Sequence, residues 1–428
     1  MWNSPTEPEA TLLEAQAPPR RSCRRGTTPT PVIAHSVHTH SLSHGWQVTI
    51  YPQLAEGIKD WATVATDGNL FTSCEFLNLL ADLELPGIHS GLAIFHHPKQ
   101  GCFGLILQVF SFAARQQLGN LEAKGSGSTW QQAGQYLRRS LASWLNFRVL
   151  TAGQLLLTGD HHGLAGLSNC TMVSKSELSQ LIDQSLEQVA AKWPQHIQGI
   201  LLKDLPLEDT PRTHNYHSLP VQPNMLLHIA PQWKSMEDYM AAMSSKYRVR
   251  VRRARKKGAS LQTKLLSLEE LQAYQARMHA LYRQVADQSE FNGVQLPPDY
   301  FMKWQQHFPE QVDIVGYFDG EKLVGFTSTI QNAKELEAHY LGLEAAYNPS
   351  HQLYLNMLYD MVDQAIRSRM ERLVLSRTAL EIKSSIGAVP QDLPCWLRGR
   401  KRWSTALIPL IAPYIAPPVK WTQRHPFK

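Results

Sequence analysis

Apolar residues recur along this chain in two rhythms: alternations and short runs that predict strands, and three-to-four residue spacings that predict helices. Trp46–Tyr51 reads as a strand, two short helices follow around residues 54–65 and 74–83, and the apolar runs Leu92–Phe95 and Phe103–Phe110 flank a hairpin turn at Pro98–Gly101. A Gly/Ser stretch, Gly125–Ser128, precedes a helix expected near 131–144. Strand-like Phe147–Thr151 and Leu155–Thr158 then lead into the loop Gly159-Asp160-His161-His162-Gly163. A helix near 176–192 and strands over Ile197–Leu202 and Leu219–Ile229 follow, and Pro231 marks a boundary.

Beyond it, Ser235 with Asp238 resembles a capping box, and Met236, Met240, Met243, Tyr247, Val251 and Ala254 recur at helical spacing until Gly258 ends the helix. On that helix Lys246, Arg250, Arg253 and Lys257 share one face and Arg248, Arg252 and Arg255 its neighbour, so two basic stripes flank one apolar seam. Leu261–Leu265 reads as a strand, and Ser267 with Glu270 opens a helix. A shorter helix is expected near Asp299–Phe308. Val312–Phe318 and Leu323–Ile330 flank the hairpin signal Asp319-Gly320, and Leu336–Leu343 supplies a third strand. Asn348, Pro349 and Ser350 start a helix, and Leu373–Ser376 is the next strand.

Both halves share the order hairpin, strand, helix, strand, with no residue-level repeat. The expected fold is therefore mixed α/β, α+β in its mixed sheets: two copies of one unit around a central cleft. The expected domains are a disordered tail over 1–44, rich in Pro, Thr, Ser and Arg, an N-terminal domain over 45–231, a C-terminal domain over 232–403 and an extension over 404–428.

Composition narrows the function. Of the twelve residues from Lys246 to Lys257, eight are Lys or Arg and none is acidic, which points to a polyanion partner. Five of the eight are Arg, whose planar fork suits phosphate. The whole chain carries a net charge of only +6, so the positive charge is local. Five scattered cysteines without C-x-x-C spacing indicate neither a disulfide framework nor a zinc cage, and a reducing, cytoplasmic setting fits best. The histidines at 35, 38, 40 and 44 fall in the expected tail, and His161 and His162 are adjacent, so no metal is expected. No secretory signal and no apolar run long enough for a membrane span is expected.

The stretch Tyr239–Gly387 resembles the GNAT acyltransferase superfamily, in its FemAB-like and CelD-like branch with tandem GNAT-type domains. The resemblance rests on the basic helix, the Asp319-Gly320 hairpin, the strand ending Tyr340-Leu341-Gly342-Leu343, the helix with Leu353-Tyr354, and above all Ser376-Arg377-Thr378-Ala379-Leu380-Glu381-Ile382-Lys383 closed by Gly387-Ala388. It departs from the superfamily at the pyrophosphate loop, since Glu344–Ser350 contains no glycine.

The resemblance implies an enzyme that moves an acyl group from acyl-CoA, acetyl-CoA for example, to an amine or hydroxyl of a small molecule or cell-envelope precursor. The donor sits in the second domain and the acceptor between the domains. Backbone N–H groups near Tyr340–Leu343 would hold the carbonyl oxygen. Glu381 is the best carboxylate for a base and His339 the best histidine, with Tyr340 or Tyr354 as the acid. Arg248, Arg252, Arg253, Asn348, Ser350, Arg377 and Lys383 would bind the cofactor's phosphates, and Asp160, His161 and His162 would line the substrate cleft. Each also has a packing or ion-pair alternative. Two rival readings are FemAB-type transfer from aminoacyl-tRNA, with the basic helix on RNA, and a non-catalytic module for nucleic acid or an anionic membrane surface. Arg398–Trp403 and apolar Leu407–Ile415 favour the membrane, but the prolines at 409, 413, 417 and 418 are expected to break a helix there.

Overall fold

The computed structural model describes residues 37–113, 146–159, 163–170, 173–193, 196–207, 215–287, 294–415 and 419–428. Gly125–Ser128 and the helix expected near 131–144 lie outside them. The fold class is the expected one, mixed α/β with two sheets. In chain order the first half supplies β1 (His38–Ser41), β2 (Gln47–Tyr51), α1 (Leu54–Trp61), α2 (Cys74–Asp82), β3 (Ile88–His97), β4 (Gly101–Ala113), β5 (Asn146–Ala152), β6 (Leu164–Ala165), α3 (Lys175–Lys192), β7 (Gly199–Lys203), β8 (His217–Ser218) and β9 (Asn224–His228). The second half supplies α4 (Met236–Ala242), α5 (Ser245–Gly258), β10 (Gln262–Leu265), α6 (Leu268–Ala286), α7 (Tyr300–His307), β11 (Val312–Asp319), β12 (Lys322–Asn332), β13 (Glu335–Leu343), α8 (Tyr347–His351), α9 (Leu353–Arg367), β14 (Arg372–Val374), α10 (Leu380–Ser384), β15 (Val389–Gln391), β16 (Cys395–Gly399) and α11 (Arg402–Ile415).

Nine strands form one sheet, in the order β1-β2-β3-β4-β5-β7-β16-β8 with β6 beside β4, and seven form the other, in the order β10-β11-β12-β13-β14-β9-β15. Each sheet contains one parallel pair, β5 with β7 and β13 with β14, and every other pairing is antiparallel. Next to each parallel pair lies a strand from the other half of the chain: β16 flanks β7, and β9 flanks β14. The expected boundary at residues 231 and 232 therefore separates neither sheet, because the halves exchange a strand.

A shared core reinforces this. Trp61, Phe71 and Phe76 from the first half pack in one apolar cluster with Tyr300, Phe301 and Trp304 from α7, and Phe76 stands 5.8 Å from Trp304. Asn332 spans the same seam, accepting the Leu70 N–H at 2.9 Å and donating to Asn69 Oδ1 at 3.2 Å. On the opposite side Arg377 pairs with Asp204 at 2.6 Å. Burial would raise the Asp204 carboxyl, but Lys203 and Arg377 outweigh it and hold the group below its ordinary value.

Several expectations change at the element level. Leu155–Thr158 forms no strand, and of Leu219–Ile229 only Asn224–His228 does. His38–Ser41, inside the expected tail, is a strand paired with β2. The basic helix is two helices. Both halves of the Ser235–Asp238 capping box are present on α4, but Met243 turns extended, bridges to Phe427, and the Ser244 N–H reaches Pro426 O at 2.8 Å. Residues near the C-terminus thus pair where the helix would otherwise continue. Gly258, the last residue of α5, lets α9 approach closely, since a Cβ there would lie 2.5 Å from Asn356 Nδ2. Finally, α11 runs through Pro409 and Pro413, which were expected to break it.

Candidate functional site

The second sheet opens at one place. Strand β13 pairs with β14 over three residues only, Glu335–Glu337, while it stays paired with β12 as far as Leu343. From Ala338 onward the edge facing β14 has no strand partner among the described residues. The Glu344 N–H bonds Val324 O at 2.9 Å, so by strand alternation the N–H and C=O groups of Leu341 and Leu343 point away from β12 into this opening. On one face β13 meets α6, where a Cβ on Gly342 would lie 2.6 Å from Tyr282 N. On the other, Leu341 and Leu343 join a cluster with Leu353, Tyr354 and Met357 of α9.

A register shift between Ser328 and Thr329 of β12 causes the opening. Ser328 faces Tyr340 and Thr329 faces Ala338, which leaves His339 as the extra residue of a bulge. The bulge turns His339 and Tyr340 to the same side, where both rings contact Tyr300, at 5.5 and 5.7 Å. His339 Nε2 lies 2.8 Å from the Tyr300 hydroxyl and its Nδ1 3.4 Å from Ser328 Oγ. Ser328 donates to Tyr340 O and accepts the Tyr340 N–H, each at 3.1 Å.

These contacts set the protons. Burial pushes the Tyr300 phenol far above its ordinary value, so it stays protonated and donates to His339 Nε2. Burial pushes His339 down to about 3, so the ring is neutral and carries its proton on Nδ1. Tyr340 donates to Leu156 O of the first half at 3.3 Å, and its phenol is likewise raised, by burial and by Tyr282. His339 and Tyr340 keep some solvent-accessible surface, as groups lining a cleft do.

Tyr354 stands on the first turn of α9, half-buried. Its phenol is raised by burial, and its hydroxyl makes no hydrogen bond among the described residues. Helix α9 is preceded by a single turn, α8, and a left-handed Gln352, and Asn348 Oδ1 caps it by accepting the Tyr354 N–H at 3.2 Å. The Ser350 hydroxyl is turned onto its own helix, 3.3 Å from Ala346 O. Basic α5 packs alongside: Lys257 donates to Pro349 O at 3.0 Å, and Arg255 pairs with Asp360 at 2.5 Å. Arg248 is spent on Met243 O, while Arg252 and Arg253 are exposed with no ion pair among the described residues.

This chain is similar in fold to several solved structures at low sequence identity. It matches FemX with a TM-score of 0.47 at 10% identity over 84% of this chain and 98% of that one. A tandem GNAT protein from the clavulanic acid biosynthesis pathway follows, with a TM-score of 0.42 at 10% identity over 82% and 98%. A GCN5-related N-acetyltransferase from Kribbella flavida gives 0.40 at 10% identity over 84% and 72%. No family model and no curated protein sequence matches the chain.

Other expected site residues lie elsewhere. Asp160, His161 and His162 fall outside the described residues. Glu381 is exposed; its carboxylate accepts the Thr422 N–H at 3.1 Å and pairs with Arg424 at 3.2 Å, which lowers its pKa and ties down the residues before the C-terminus. Among the described residues its cation partner is Arg424, not Lys383 or Arg377. Lys383 is buried, and its ammonium donates to Leu375 O at 2.6 Å, Arg377 O at 2.7 Å and Ser376 O at 3.4 Å. Burial pushes it down to about 7. Those carbonyls belong to a turn with left-handed Ser376, Thr378 and Ala379, which Lys383 holds in place at the carboxyl end of β14. Lys383 and Arg377 therefore shape the far wall of the opening instead of presenting charge to a ligand.

Sequence reading missed Tyr300 and Ser328. Tyr300 sits among the apolar residues of α7 and looks like any core aromatic. Ser328 left a trace: Thr327-Ser328-Thr329 is a run of hydroxyls, all buried, in an otherwise apolar strand.

Proposed function

We propose that this chain is an acyltransferase that takes the acyl group of an acyl-CoA thioester and passes it to an amine or hydroxyl acceptor, acetyl-CoA being the simplest donor. The observation that carries this reading is the open edge of β13 at Leu341–Leu343. A thioester laid along it meets the Leu341 N–H, a fixed donor placed where a carbonyl oxygen gains charge. The acceptor approaches from the side of His339, Tyr340 and Tyr300. Its lone pair forms the new bond to the carbonyl carbon, the C–S bond breaks, and the sulfur leaves as thiolate. Tyr354, protonated and with no hydrogen-bond partner among the described residues, donates a hydrogen bond to that thiolate, which takes its proton from solvent. With its value near 3, His339 is a poor base at neutral pH. Its role is to hold Tyr300 and the bulge, and the acceptor reacts as a neutral amine whose proton passes to solvent. The carrier's phosphates lie toward α8 and α5, where Lys257, Arg252 and Arg253 supply the charge that a glycine-free loop does not.

A second reading, transfer from aminoacyl-tRNA, is favoured by the cations that α5 leaves exposed and unpaired. One thermal-shift series separates the two, because a ligand of the native state raises stability with RT ln(1 + [L]/Kd). Acetyl-CoA, longer acyl-CoAs and free CoA should stabilise the protein. Stabilisation by tRNA alone, falling with log salt at roughly 0.7 to 0.9 per phosphate contacted, would replace this reading with the second.

A further inference from the structure

The chain carries no acidic residue from Leu393 to Lys428, whereas Arg398, Arg400, Lys401, Arg402, Lys420, Arg424 and Lys428 all fall in that stretch. Helix α11 lies within it, seated on the first sheet through one face: Ile408 is 3% and Ala412 6% exposed, and Ala412 packs with Leu219 and Cys395. Among the described residues nothing covers the opposite face. Trp403, Leu407 and Leu410, spaced by four and three residues, are 62%, 45% and 67% exposed and form one stripe along the helix. Three large apolar side chains in a row on an exposed helix face mark a contact that the described residues do not make.

The charges at the head of the stripe say what kind of contact. Arg398 and Arg400 are held by Glu187, and Arg398 also by Asp183. Lys401 and Arg402 are exposed and unpaired among the described residues, immediately before Trp403. A Trp beside two free cations, followed by aliphatic residues on the same helical face, is the arrangement of a helix lying in a bilayer interface, with its cations at lipid phosphates and its ring at headgroup depth. A second copy of this face would bring the same uncompensated cations, whereas an anionic leaflet neutralises them.

We infer that α11 docks the protein onto an anionic lipid bilayer through Trp403, Leu407 and Leu410, with Lys401 and Arg402 on the headgroups. This surface is separate from the acyl-transfer site and does not rest on the function proposed for it. The test is co-sedimentation of the full chain with phosphatidylcholine vesicles, with and without phosphatidylglycerol. Binding should require phosphatidylglycerol and weaken with salt. It should fall by about tenfold or more in Lys401→Glu/Arg402→Glu and disappear in Leu407→Asp/Leu410→Asp. If the aspartates unfold the protein, Leu407→Ser/Leu410→Ser makes the same test. The parent's tryptophan emission should shift to the blue on anionic vesicles, and Trp403→Phe should abolish that shift. Absence of binding at any phosphatidylglycerol fraction, or binding that survives both sets of substitutions, overturns the inference. So does concentration-dependent self-association that these variants abolish, because a second copy would then cover the stripe.

Discussion

At the scale of single residues, the site separates groups that face the opening from groups that build its walls. On the function proposed above, Tyr354→Phe should lower turnover by about a hundredfold or more, the range for loss of one donor to developing charge, while donor affinity and melting temperature stay put. Equal loss of turnover and donor binding would mean the ring merely packs the ligand. Lys383 is a wall residue. Lys383→Met strands two closely bonded buried carbonyls, and denaturant unfolding should show a loss of about 2 to 5 kcal/mol. A direct phosphate contact predicts the opposite, weaker donor binding at unchanged stability. His339 gives the site its pH signature. Its folded value near 3 lies below its ordinary 6.5, so between those values the unfolded chain binds the extra proton. Stability therefore rises with pH across that window and is lost as pH falls from 6.5 toward 3. Acid titration of unfolding free energy should be shallower in His339→Gln, and identical curves would mean the imidazole is not desolvated. Glu381→Gln should leave turnover unchanged, since that carboxylate serves Arg424 and Thr422.

At the scale of elements, most of the second half was legible. The capping boxes at Ser235 and Ser267, the hairpin at Asp319-Gly320 and the strand over Leu336–Leu343 appear as their local signals require, because each depends on residues within a few positions of one another. What local pattern does not carry is the partner from far along the chain. The break between α4 and α5 is made by Pro426 and Phe427, and Gly387 has its left-handed turn and missing Cβ beside that same Phe427 ring. The bulge at His339 is a property of β12 against β13, visible only once the register is known. The motif from Ser376 to Lys383 was legible as a pattern, but its contacts were not: Lys383 holds the carbonyls of a turn with three left-handed residues, which only the folded backbone shows. For α5, the exposed cations predict that Arg252→Glu/Arg253→Glu weakens donor binding steeply in a folded protein, the seam of Tyr247, Val251 and Ala254 being untouched. Calorimetric titration with acyl-CoA checks this, and equal affinity would remove α5 from the donor site.

At the scale of the whole molecule, strand exchange and the shared core make the two halves one folding unit. The Phe76 contact with Trp304 is buried on both sides, so Phe76→Ala should cost about 3 to 5 kcal/mol and lower one common transition. Two separate transitions would show that the halves fold independently. The same union shapes the opening: Tyr340 reaches Leu156 O of the first half and the Tyr300 hydroxyl of α7 bonds His339, so the side proposed for the acceptor draws on both halves. The central claim is that the free edge of β13 receives the acyl donor. Leu341→Pro tests it most directly, because proline removes one of the two N–H groups aimed into the opening, the one proposed to meet the carbonyl oxygen, and leaves the ladder to β12 intact. Calorimetric titration of acetyl-CoA should show binding to the parent and a loss of about tenfold or more in the variant, with turnover falling further and the melting temperature nearly unchanged. Equal affinity and turnover in a folded Leu341→Pro would contradict the account.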